Sequence, residues 1–260
     1  MTIPIYQVDA FTDKLFGGNP AAICPLTEWL PAPEMQKIAA ENNLAETAFF
    51  IPQGKDYELR WFTPEVEIDL CGHATLATAH VLFTILQYEG DIIHFHTLKA
   101  GTLTVHRDED IYTLNFPSRP PQVCEVPAGL KQAIGGNPVE ILLSRDYLLV
   151  YENESEVKAL NPDFLALSKI QSIGFIATSP GDNCDFVSRF FAPGSGINED
   201  PVTGSSHCSL IPYWAKRLGK NNLHAFQVSS RIGELQCELK NDRVLISGKA
   251  VTYLKGEIFI

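Results

Sequence analysis

The sequence lacks most of what would mark a nucleic-acid-binding, membrane or disulfide-built protein. Lysine and arginine total 20 against 31 aspartates and glutamates, for a formal net charge of −11. Such a surface suits neither a polyanionic backbone nor an anionic membrane. No apolar run approaches the roughly 18 residues that a membrane span needs. The opening MTIPIYQVDAF has no basic stretch followed by an apolar one, so no signal peptide is expected. The six cysteines are scattered, with no CxxC pair, and read as reduced thiols of a cytoplasmic protein. Negative charge does not exclude a small anionic substrate, because one local positive site can hold it. The remainder is ordinary globular composition: 260 residues, 45% hydrophobic and 20% charged, enough for one large core or two modest ones.

The chain repeats itself. RWFTPEVEIDLCGHAT begins at Arg60 and RFFAPGSGINEDPVTGSSH at Arg189, 129 positions later. Both read Arg-aromatic-Phe-x-Pro, a short loop, then glycine and small residues opening a helix pattern. The second loop has three extra residues, which predicts an offset of 132 beyond it. TLKAGTLTVHRDEDIYTL from Thr97 and SSRIGELQCELKNDRVLI from Ser229 meet that offset, placing Gly101 on Gly233 and Asp110 on Asp242. Two homologous halves follow, residues 1–117 and 118–260, with the Pro-rich stretch Asn115 to Gly129 as crossover and a terminal strand free to pack back on the first half.

Each half mixes short strands with one main helix, expected over 73–88 and 204–219; a shorter helix is expected over 33–43. An apolar helix among many strands predicts an α+β fold of two pseudo-symmetric halves, each a curved mixed sheet wrapped around a central helix.

The corner DLCGHAT then carries the chemistry. Gly72 matches Gly204, His73 matches Ser205, and Cys71 matches Thr203. Both glycines open a helix, whose unpaired N–H groups and partial positive charge suit a carboxylate or enolate oxygen. Pseudo-symmetry would bring two such ends to a cleft between the halves; equally, the glycines serve close backbone turns. His73 is either a helix-start residue bonded to backbone or a site residue whose symmetric counterparts are Asp200, Thr203 and Ser205. No metal is expected, since no second His or Cys stands nearby at ligand spacing and His94 and His96 lack a third ligand. A Cys71–His73 nucleophile pair is disfavoured, because near neighbours at a helix start point in different directions. Cys71 remains a possible acid or base at a helix N-terminus, or a small buried hydrophobe. Glu46, entering an apolar strand in NNLAETAFF, is costly there unless paired or functional. Burial would raise its pKa towards proton-shuttle range; a surface strand edge is the alternative.

DAFT…GNPAAI from Asp9, NLAETAF from Asn43, LCGHATLA from Leu70, EDPVTGSSH from Glu199 and YWAKRLG from Tyr213, with the two Arg-Phe-Pro segments, resemble the PhzF-like phenazine-biosynthesis isomerase family within the diaminopimelate epimerase-like fold. The resemblance implies an active site between the halves and cofactor-free, metal-free proton transfer in a homodimer. In the phenazine isomerase a glutamate moves a proton between carbons of trans-2,3-dihydro-3-hydroxyanthranilate; Glu46 matches it. The family's site histidine maps to His73 and its aspartate to Asp200, while Gly72, Gly204 and Ser205 match substrate-holding helix starts. Epimerase and racemase relatives use two cysteines as a base and acid pair, but this chain has Cys71 opposite Thr203. The expectation is an isomerase of a small, carboxylated metabolite, against an epimerase using Cys71 or a binding protein that lost turnover. Ile232, where many relatives have glycine, would alter the site's rim or merely pack.

Overall fold

A computed structural model describes all 260 residues. The chain forms two compact units, Met1–Asn115 with Ser247–Ile260, and Phe116–Ile246. The fold is mixed α+β in two pseudo-symmetric sheet-and-helix halves.

In the first unit the strand Thr2–Ala10 pairs antiparallel with Ala250–Phe259 on one side and Asn19–Pro25 on the other. Asn19–Pro25 runs parallel to Glu46–Gln53, which pairs antiparallel with Asp56–Phe62. Asp56–Phe62 then runs parallel to Ile92–His96, and two antiparallel strands, Thr102–Asp108 and Ile111–Pro117, follow. A hydrogen bond between the Thr113 and Ser247 hydroxyls, 2.8 Å, ties the two ends of this unit's chain together. The second unit repeats the ladder: Tyr147–Val150 is parallel to Phe175–Pro180, that strand is antiparallel to Phe186–Ala192, and Phe186–Ala192 is parallel to Asn222–Gln227. Gly233–Lys240 closes it antiparallel.

The first central helix, Gly72–Thr84, is buried at every residue from Gly72 to Phe83. A helix apolar all round has no solvent face and must be wrapped. Its alanines let the sheet approach closely, and its hydroxyls disappear into its own backbone. Thr78 and Thr84 donate to the carbonyls of Ala74 and His80, at 2.7 and 2.6 Å. His80 is satisfied by the Tyr112 and Thr252 hydroxyls, and burial pushes its pKa down to about 4, so the ring is neutral. The second central helix, Gly204–Leu218, contains Pro212. Proline has no N–H for the carbonyl four residues back; the Arg119 N–H donates to that Cys208 carbonyl instead, at 2.8 Å.

The expected central helices are found with shorter C-termini. The strand Asn19–Pro25 and the short helices Leu130–Ile134, Glu154–Ala159 and Phe164–Leu167 carry no periodic signal of their own. Prolines stand at both ends of Asn19–Pro25, and a helix of four to six residues is too short for a 3.6-residue repeat to register.

Ile232 does not pack: it is 52% exposed with φ +53°, in the left-handed region a β-branched residue rarely enters. Its neighbour Gly233 has no room for a side chain, since a Cβ would lie 2.2 Å from Val202. Its repeat mate Gly101 is open on that side but sits at φ +73°. Matched glycines thus answer to different constraints. Gly233→Ala is expected to lower stability by about 1–3 kcal/mol through overpacking. Ile232→Gly should raise it by up to about 1 kcal/mol by relieving strain. Urea unfolding of both variants checks this pair, and equal midpoints for the two would refute it.

Candidate active site

In the first unit the strand Asn19–Pro25 sets the geometry. Gly18 precedes it at φ +57°, where a Cβ would lie 2.1 Å from the Ala10 carbonyl oxygen, so glycine alone fits this turn. Asn19 follows, fully buried, with its side-chain amide 3.1 Å from His73 Nδ1. Two residues on, Ala21 pairs with Glu46, the first residue of the next strand. Glu46 is 7% exposed and His73 3%. His73 Nε2 lies 3.0 Å from Glu46 Oε2. The ring does not aim straight along that line, since neither atom completes a well-angled hydrogen bond. The contact is a close charge pairing, and catalytic hydrogen bonds commonly straighten only once substrate is bound. On the ring's other side Cys71 Sγ approaches Nδ1 to 3.5 Å.

Sequence reasoning had separated Cys71 from His73, and the structure corrects it. Cys71 is the residue just before the helix, in extended conformation at φ −137°, which turns its side chain back over the first turn towards His73. Glu46, His73 and Cys71 therefore form one buried chain of titratable groups.

Burial, then the Glu46 carboxylate, push the Cys71 thiol up to about 11. Burial opposes charge on His73, yet Cys71 and Glu46 beside it hold its pKa well above the ordinary 6.5. With the thiol neutral, Glu46 is the acidic neighbour that remains to favour charge on the ring. Glu46, Cys71 and His73 also offer three ligand atoms within 4.8 Å of one another, a set that local spacing does not reveal. A metal bound there would have to displace the protons of the ring and the thiol. His94 and His96 lie elsewhere; His96 pairs with Asp56 at 2.9 Å and His94 meets Thr104 at 3.3 Å.

In the second unit Asp200 ends the strand Ile197–Asp200, and Thr203 precedes the helix opened by Gly204. The Thr203 hydroxyl donates to Asp200 Oδ2 at 2.5 Å. Gln227, fully buried, accepts from the Thr203 N–H and donates to the Asp200 carbonyl, at 2.8 and 2.7 Å. Gly204 is buried and Ser205 half-buried. His207 bonds to the Thr203 carbonyl at 2.8 Å, and burial pushes its pKa down to about 4, leaving it neutral. Neither Cys71 nor Thr203 caps its helix through the side chain, and neither first turn contains an acidic residue.

The same clamp holds both loops. Arg60 meets Glu67 through two parallel hydrogen bonds of 2.7 and 2.8 Å, and Arg189 meets Glu199 with the same pair of lengths. Bidentate pairs of this kind add orientation as well as energy. Asn19 and Gln227 are the site residues that sequence reasoning missed. The only signal was a polar amide at the edge of an apolar run, in GNPAAI and in HAFQVSS.

The sequence profile of the phenazine biosynthesis-like PhzC-PhzF family matches residues 8–256. An uncharacterized isomerase of Pseudomonas aeruginosa is 49% identical over the whole of both chains. A phenazine biosynthesis-like domain-containing protein of Homo sapiens is 41% identical over 99% of each. The crystal structure of a PhzF-family phenazine biosynthesis protein from Enterococcus faecalis superimposes with a TM-score of 0.97 at 49% identity, covering all of both chains.

A pKa raised on folding means that the folded state holds the proton more tightly. The stabilisation from charged His73 is therefore fully present below about 6.5, the unfolded value, and is lost as pH climbs through the higher folded value. The stability gap between wild type and His73→Gln is expected to be widest near pH 6 and to narrow on the alkaline side. Urea melts across that range test this; a gap indifferent to pH would show a ring that is neutral when folded.

Proposed function

This chain belongs to the phenazine biosynthesis-like PhzC-PhzF family, and from that membership and the buried Glu46–His73 pair we propose a cofactor-independent isomerase that moves a proton between carbons of a small, carboxylated metabolite. The observation that carries the reading is a carboxylate held 3.0 Å from a buried imidazole. In the forward step the Glu46 carboxylate takes a proton from carbon, and the C–H electron pair spreads into the adjoining unsaturated system. In the return step the same carboxyl gives its proton to a different carbon, so the base is regenerated and no redox partner is needed. His73 beside Glu46 offsets its charge and relays protons, and Asp200 accepts a hydrogen bond from a substrate amine or hydroxyl. Backbone N–H groups at Gly72 and at Gly204–Ser205 hold the carboxylate or the developing enolate oxygen.

The alternative is an epimerase in which Cys71 is one of the two acid–base groups, and its 3.5 Å approach to His73 favours keeping it in view. Thr203, opposite in the repeat, has no comparable acidity, which favours the isomerase. The reading extends to a cytoplasmic homodimer that does not bind nucleic acid. The six free thiols favour the compartment, the net charge of −11 disfavours nucleic acid, and the dimer rests on family membership.

The test is NMR in D₂O of trans-2,3-dihydro-3-hydroxyanthranilate and a panel of small amino and hydroxy acids. Wild type is expected to place deuterium on carbon, and Glu46→Gln to slow this by at least about 10²-fold. Cys71→Ala should retain most of the rate. Abolition by Cys71→Ala would turn the assignment to the epimerase, and full activity in Glu46→Gln would remove the proposed base.

A further inference from the structure

Gln227 has a more specific place than packing requires. It ends the strand Asn222–Gln227, pairs with Ser188 of the neighbouring parallel strand, and is fully buried. Its amide orientation is fixed by its partners. The Thr203 N–H can only donate, so the amide oxygen must face it; the Asp200 carbonyl can only accept, so the NH₂ must face that. The second NH₂ proton then goes to Thr203 Oγ1, at 3.2 Å. Having received that proton, the hydroxyl has one of its own to give, and its acceptor is Asp200 Oδ2 at 2.5 Å. A separation that short belongs to an O–H donating to a carboxylate oxygen. The direction of every hydrogen bond from Gln227 to Asp200 is thereby determined.

Glu199, next to Asp200, is held by Arg189, and His207, on the Thr203 carbonyl, is kept neutral by burial. The Ser229 hydroxyl donates to the Pro201 carbonyl at 2.9 Å, fixing the turn from behind.

We infer that Gln227 is a positioning residue that acts through the Thr203 hydroxyl to fix Asp200 as a hydrogen-bond acceptor, so that the substrate group meeting Asp200 is a donor, an amine or a hydroxyl. This rests on the reading that Asp200 contacts substrate. A carboxylate kept ionised by the Thr203 hydroxyl can only accept, so it takes an ammonium or hydroxyl and repels a second carboxylate. The site therefore distinguishes the two ends of an amino or hydroxy acid, with the donor, not the carboxylate, at Asp200.

The test follows the Asp200 carboxyl by ¹³C NMR titration in wild type, Gln227→Leu, Gln227→Glu and Thr203→Val, alongside deuterium exchange on dihydrohydroxyanthranilate. Losing the donated hydroxyl proton removes a bond that favours the ionised carboxylate, so the midpoint should rise by roughly one pH unit in Gln227→Leu and in Thr203→Val. If Gln227→Leu does not fold, Thr203→Val and Gln227→Glu read the same link. Gln227→Glu should show a pH profile absent from wild type. Its protonated carboxyl restores one donor and recovers exchange on the acid side, and its ionised form loses both donors. A purely structural glutamine would produce no such profile. Unmoved Asp200 midpoints in folded variants would overturn the inference even with wild type active. Shifted midpoints with no wild-type exchange on any probe would support the control of Asp200 and count instead against the proposed reaction.

Discussion

Taking a carboxylate out of water costs several kcal/mol unless a partner offsets it, and Glu46 is 7% exposed. Its partner His73 is itself buried and costly alone, so the pair is stable only when both arrive together. They lie 27 residues apart on different elements. The strand Asn19–Pro25 brings them into register: it pairs Ala21 with Glu46, and Asn19 at its head binds the other nitrogen of the His73 ring. A slip of one residue in that parallel ladder would turn Glu46 to the opposite face of the sheet. Gly18 fixes where the ladder begins, and the helix wrapped by the sheet fixes where His73 stands. The architecture of this half is in that sense the means of holding one carboxylate against one imidazole.

The two halves keep the scaffold and diverge in chemistry. The Arg60–Glu67 and Arg189–Glu199 clamps are the same to a tenth of an ångström, because each half needs the same loop before the same helix. The reactive positions differ. Phe62 and Phe191 are repeat mates and pair with Thr47 and Phe175, so the counterpart of Glu46 is the residue before Phe175, which is Gly174. No side chain fits there, since a Cβ would lie 2.2 Å from the Phe190 ring. The counterpart of Asp200 is Ile68, and Cys71 and His73 stand opposite Thr203 and Ser205. Removal and return of a proton at one carbon, from opposite faces, is served by two like groups. Transfer between two different carbons is served by one base and an unlike set of anchors, and the reaction we propose is of this second kind.

What was legible in the sequence was what repeats. The two pseudo-symmetric halves, both central helices and the loop insertion follow from the paired Arg-Phe-Pro segments, since duplicated folding constraints leave duplicated residues. Glu46 was conspicuous as a charge in an apolar run. Asn19 and Gln227 were not, because an amide beside an apolar run reads as a strand end, and only the assembled fold shows what each touches. The Cys71–His73 approach was misread for a related reason. Spacing along a helix governs residues within it, whereas Cys71 is the extended residue before it, and its side chain follows a different backbone direction. Ile232 in left-handed backbone has no sequence signature except that glycine would suit the position better.

The helix starts bear on what the site binds. Two short helices are capped in the usual way, Asn153 accepting from the Glu156 N–H and Asp163 from the Ala166 N–H, whereas Ala32–Asn42 and Leu130–Ile134 follow Pro31 and Gly129, which have no side chain able to cap. Such a cap stabilises by about 1 kcal/mol. At both central helices the residue in the capping position spends its side chain on the site instead, Cys71 on His73 and Thr203 on Asp200. Threonine is a competent cap, so the diversion of its hydroxyl to a carboxylate is a choice of partner and not a deficiency of the residue. No acidic side chain in either first turn substitutes for the missing cap. A helix start left in this condition attracts an anion. In the reaction we propose, the diversion that orders Asp200 and His73 also leaves N–H groups at each helix start for an anionic oxygen of the substrate.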